Sequence, residues 1–149
     1  MEETILDKWF AQTAQSYPCE TTRFLATESD PFRNPVGSTL KKNLATIVAA
    51  LLGRDERRDA GTAVEEIVRM RAVQNLTAAQ AVGFVFLARP IIRESLPEID
   101  PHLLNSKIDN LALAAFDEYV RCREQLAEIR VHESRRARAV PDAMERARS

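Results

Sequence analysis

The stretch from 77 to 96, TAAQAVGFVFLARPIIRESL, limits what this chain can fold into more than any other, because it is apolar on nearly every face. Between Ala81 and Ala88 no side chain is charged or strongly polar, and a helix apolar all round has to be enclosed by other elements. The pattern predicts a central helix. Thr77 and Gln80 stand at capping-box spacing, so the Thr hydroxyl and the Gln amide can each satisfy a backbone N–H left over at a helix start. Arg89, Arg93 and Glu94 bring charge back, so the last two turns must reach the surface. Pro90 lacks the N–H that would bond the carbonyl of Phe86, which predicts a kink. That kink either opens a pocket beside Phe86 and Arg89 or simply bends a long helix around its core.

A chain of 149 residues, 45% hydrophobic and 29% charged with only 4 Gly, suits one helix-rich domain with a single core. Lys plus Arg (21) nearly balances Asp plus Glu (22), so no overall field draws the protein to nucleic acid or an anionic membrane. The opening MEETILDKWF has no basic region followed by an apolar run, and Arg89 cuts the central apolar block short of the roughly 18–20 residues of a membrane span. Cys19 and Cys122 are far apart and form no CxxC, which suits reduced thiols. A soluble cytoplasmic protein is expected.

In chain order, Ile5, Leu6, Trp9, Phe10 and Thr13 predict a first amphipathic helix ending at Tyr17-Pro18, and residues 19–29 a short second one around Phe24 and Leu25. DPFRNPVG at 30–37 has loop chemistry, with Phe32 and Val36 as anchors into the core. Ser38 is placed to cap a third helix, whose Leu40, Leu44, Ile47, Val48, Leu51 and Leu52 form one stripe closed by Gly53. Asp59 or Thr62 starts the next, which should pack side by side with the central helix after a short turn.

The last helix opens at Asp100-Pro101, an N-cap followed by proline at the first helical position. Leu104, Ile108, Leu111, Ala115, Tyr119, Cys122, Leu126 and Ile129 follow in steps of three and four. A helix from 101 to about 136 would be on the order of 50 Å long, so it must project from a domain of this size. The expected division is a helical domain over 1–136 and a polar, Arg-rich, flexible tail over 137–149. Tyr119, Cys122, Leu126 and Ile129 form an apolar seam that outruns the domain, and its simplest partner is its own copy in a parallel homodimer. The alternative is a tail folded back over the seam through Val140 and Met144.

Chemistry-bearing residues are sparse. His102, Cys122 and His132 lie along one predicted helix and cannot converge on a metal; only Cys19 could join any one of them. Phosphate loops, GxSxG and HExxH are absent, and carboxylates such as Glu65, Glu66 and Asp109 fall where solvated helix faces put them. No catalytic residue, cofactor site or metal site is expected. Arg71, Arg89 and Arg93, with Phe86, are the candidates for a pocket, since each arginine interrupts or extends an apolar stripe; the plainer reading carries their charge to water at the domain rim.

The segments LDKWFAQTAQSYP, DPFRNPVGSTL, EEIVRMRAVQNLTAAQAVGFVFLARPIIRESL and KIDNLALAAFDEYVRCREQLAEIRVHESRR together resemble the RsbRD-type N-terminal domain of RsbT co-antagonist proteins, over about residues 5–136. The resemblance implies an all-α domain, globin-like without haem, that is dimeric and signals bacterial stress along its C-terminal helix. In full-length relatives that helix leads to a STAS domain that binds kinase and scaffold partners, and the family supplies no established catalytic residues. The expected function is a non-enzymatic sensor or interaction module acting through dimerisation and its C-terminal helix. The alternative is a carrier of a small ligand or cofactor in a globin-like interior.

Overall fold

The computed structural model describes residues 1–15, 30, 32–54, 59–74 and 76–148, with side chains as far as Arg138. Six helices lie among them, with no strand: α1 (Glu2–Ala14), α2 (Pro35–Leu51), α3 (Ala60–Val73), α4 (Ala78–Val82), α5 (Phe84–Ser95) and α6 (Pro101–Arg148). The all-α expectation holds. The short helix expected over 19–29 lies outside the described residues.

Local chemistry sets the helix starts. Glu2 and Glu3 place negative charge in the first turn of α1, where the exposed N–H groups favour it. The start of α2 corrects the sequence reading. Asn34, not Ser38, is the N-cap: its side chain accepts from the Gly37 N–H at 2.9 Å, and Pro35 fills the first helical position, which needs no N–H. Phe32 is not a core anchor, being 96% exposed, whereas Val36 packs on Ala14. Gly53 closes α2 at a φ of 73°, a left-handed conformation that costs glycine least. Asp59 caps α3, accepting from the Gly61 N–H. Thr77 and Gln80 form the full capping box on α4, at 3.2 and 3.0 Å. At α6, Asp100 accepts from the His102 N–H, and Pro101 takes the first position.

The central helix is interrupted, but at Gly83 rather than Pro90. Helix α5 runs through Pro90 without a break, while Gly83 separates α4 from α5. A β-carbon at Gly83 would sit 2.5 Å from the Ala79 carbonyl oxygen, so only glycine lets the chain turn this tightly. Trp9 locks the junction from outside: its ring stacks on Phe84, and its indole N–H donates to the Phe84 carbonyl at 2.7 Å. The turn at Gly83 also redirects the chain. Helix α5 packs on α1 and α6, and only the short α4 runs against α3, so the expected side-by-side pairing of α3 with the central helix is confined to that piece.

The core lies between α1, α2, α3, α5 and the first half of α6, with Ile5, Trp9, Leu44, Ile67, Phe84 and Ile108 among its buried members. Helix α6 contributes Leu104, Ile108, Ala112 and Ala115 to it. Its 48 residues span about 72 Å, against roughly 40 Å for the diameter of a domain of this size. The helix continues through Arg148, past the boundary expected near 136.

Candidate functional site

Helix α6 both closes the core and leaves it, so how it is held decides what it can transmit. Among the described residues, four polar contacts fasten it, each to a different part of the body. Lys107 donates to the Ala50 carbonyl at the end of α2 (3.2 Å), and Arg89 of α5 reaches Asp109 (3.2 Å). Arg69 of α3 donates to Glu118 (3.0 Å), and the Tyr119 hydroxyl donates to the Leu76 carbonyl just before α4 (3.0 Å).

The contact at Glu118 is the most enclosed. Its carboxylate is buried, yet both arginines that meet it, Arg69 and Arg121, keep more than half of their side chains in water. A buried carboxylate is tolerated where cations and donors surround it. The Cys122 thiol lies one turn on and donates to the same carboxylate at 3.6 Å. Burial pushes the thiol's pKa up, the neighbouring Glu118 charge and hydrogen bond push it further, and Arg69 and Arg121 act the other way. Cys122 is thus held as a neutral thiol, the opposite of a nucleophile's environment.

The candidate pocket does not assemble as one site. Arg71 is fully buried, contrary to the solvent-reaching alternative; it donates to the Gln80 carbonyl at 2.6 Å and stacks over Phe84. It lines a crevice with Gln12, Thr13, Gly83 and Leu87. Phe86 lies elsewhere, because residues two apart on a helix point to nearly opposite sides. It borders a groove of about 410 Å³ with Val82, Asp109, Ala112, Leu113 and Phe116, and the Arg89 guanidinium sits over its ring. Arg93 is exposed and lines neither.

The four seam residues also divide. Tyr119 and Cys122 pack within their own chain, continuing the stripe of Leu104, Ile108 and Ala115; Leu126 is half-buried, and Ile129 is exposed. A second stripe runs on the opposite side of α6, through Leu113, Phe116 and Val120, all exposed, and onward to Ala127 and Val131. The first three of these stand at steps of three and four, Arg123 and Glu124 interrupt the stripe before Ala127, and a helix with apolar residues on two sides gives no sign of which side its own core takes.

The model of the RsbT co-antagonist protein rsbRD N-terminal domain matches residues 3–136. The chain belongs to that family. Its match covers every helix that builds the core and α6 as far as Arg136, so the family's domain and the body described above coincide. The family is one of regulatory signalling domains, from stress-signalling co-antagonists, and not a known enzyme family. No curated protein and no solved structure matches the chain. Among the described residues, no His, Cys, Asp or Glu cluster could hold a metal ion, and no helix is long and apolar enough to cross a membrane.

Proposed function

We propose that the protein is a non-catalytic regulatory module of bacterial stress signalling that works as a cytoplasmic homodimer and passes its state outward along α6 to a signalling or scaffold protein. One observation carries this reading: a single unbroken helix is both part of the core and the way out of it. From Cys122, the last buried residue of α6 among those whose side chains are described, the helix continues for roughly 40 Å to Arg148. A displacement of the body at any of the four polar contacts would therefore move a rigid lever rather than a loop. Family membership supplies the biological setting, and the near-balance of charge favours a protein partner over nucleic acid.

The oligomeric state is the first test. Light scattering on the full chain at tens of micromolar should give about twice the 16.8 kDa chain mass. A mass of one chain across that range would end the dimer reading.

A further inference from the structure

We infer that the far stretch of α6 is a docking surface for a protein with an acidic face, gripped by Arg135, Arg136 and Arg138 with His132 beside them. This rests on the reading of α6 as the way out of the body and names the chemistry of what it meets.

The observation that carries it is a reversal of charge along one helix. Over residues 101–129, α6 holds Lys107, Arg121 and Arg123 against Asp109, Asp117, Glu118, Glu124 and Glu128, a net −2. Over 130–138 it holds four arginines against Glu133 alone, a net +3. The whole chain carries −1, so everything outside those nine residues carries −4. The sign changes only after the helix has left the core, in a stretch where every residue from 127 to 138 is exposed. Arg135 lies about 20 Å beyond Cys122, more than twice the screening length of about 8 Å at physiological salt, so the acidic body cannot neutralise it.

Placement on the helix narrows the surface to one side. At about 3.6 residues per turn, His132, Arg135, Arg136 and Arg138 fall on one half of α6, within about 9 Å along its axis, and Glu133 falls outside it. Arg135 and Arg138 stand three apart, a like-charge relation that weakens a helix in water. Among the described residues no ion pair reaches Arg135, Arg136 or Arg138, whereas Arg69, Arg89 and Arg121 on the body are each paired. A helix face that only meets water is typically laced with both signs. This one keeps a single sign at a cost to the helix, and an acidic partner would remove that cost.

The residue types select a protein over other polyanions. No lysine follows Lys107, and the planar guanidinium of arginine can take a carboxylate in two parallel hydrogen bonds. No Phe, Tyr or Trp follows Tyr119, so bases have nothing to stack on. Val131 is the one large apolar side chain over 130–138, too little to seat the helix in a bilayer. The negative remainder of the chain would repel both nucleic acid and anionic lipid.

Fluorescence anisotropy with the full chain tests this against three labelled probes at low salt: a helical peptide carrying glutamate at every third or fourth position, a DNA duplex of equal charge, and phosphatidylserine vesicles. The peptide should bind at least tenfold tighter than either of the others. Changing Arg135, Arg136 and Arg138 together to Gln should weaken it at least tenfold. A charge-matched control, Arg33→Gln with Arg54→Gln and Arg93→Gln, removes three exposed arginines of the body and should weaken it less than threefold, with helix content by far-UV circular dichroism kept in both. Equal losses in the two triple variants would show attraction to net charge alone and overturn the inference, as would tighter binding to duplex or vesicle, or a peptide that does not bind. Failure here is separable from failure of the dimer reading. A monomeric chain that binds the peptide through these arginines supports the surface and ends the dimer, and a full-strength dimer that ignores the peptide does the reverse.

Discussion

Replacing Trp9 by phenylalanine tests whether the indole, and not merely an aromatic ring, fixes α1 to the junction of α4 and α5. Trp9 is fully buried, so the substitution removes buried apolar surface worth about 1 kcal/mol at 25 cal/mol per Å² for the smaller ring. It also removes the 2.7 Å hydrogen bond to the Phe84 carbonyl. The loss of a buried hydrogen bond costs about 1–3 kcal/mol, and the low end applies because that carbonyl also belongs to a helix. Together the loss should be about 2–3 kcal/mol, against about 3–5 kcal/mol for Trp9→Ala. At about 2–4 °C per kcal/mol for a chain of this size, Trp9→Phe should lower Tm by roughly 4–12 °C. Because Trp9 is the single tryptophan, urea and thermal melts must be followed by far-UV circular dichroism rather than fluorescence. A change below about 0.5 kcal/mol would show that the indole N–H holds nothing at the junction.

Gly83→Ala should destabilise by about 1–3 kcal/mol, since its β-carbon would press on the Ala79 carbonyl; a helix-interior glycine would instead gain up to about 1 kcal/mol from the same change, so the sign of the shift in the urea midpoint decides. At the Glu118 contact, Arg69→Ala should cost more, about 1–2 kcal/mol, than Glu118→Gln, below about 1 kcal/mol. The first takes a partner from a buried carboxylate, and the second leaves two arginines that water can solvate; equal or inverted costs in denaturant melts would refute the reasoning. Cys122 gives a pH dependence with a definite sign. Its folded pKa is raised, so the unfolded chain loses the proton first, and stability present below about 9, the thiol's ordinary value, should fall as pH rises beyond it. Cys122→Ala should flatten that alkaline fall in urea midpoints, and an unchanged slope would count against the burial argument.

The helices and most of their ends could be read from the sequence, because periodicity and caps are local. The Thr77–Gln80 box, the Asp100-Pro101 start and the Gly53 stop all act within a few residues of themselves. Ser38 and Asn34 are both adequate caps by residue type, and the proline at 35 ranks Asn34 first. What depended on three-dimensional placement was not legible. Pro90 was the visible irregularity, yet the break falls at Gly83, where the packing of Trp9 on Phe84 takes up a carbonyl from another helix. Arg71 and Glu118 look alike in sequence to any charged residue on a helix, and their burial follows from which neighbours the fold supplies. Two sides of α6 carry apolar residues at helical spacing over its first half, so periodicity locates apolar faces and does not say which side the core occupies.

Hydrogen exchange along the segment of α6 that leaves the body measures directly whether the helix is paired there. A lone helix of this length in water is only marginally stable, whereas a packed pair protects its amides. Amides of residues 123–131 should be protected, with protection rising as protein concentration is raised through the dimerisation range. Exchange in that segment at the unprotected rate, at every concentration and beside a well-protected core, would contradict that pairing.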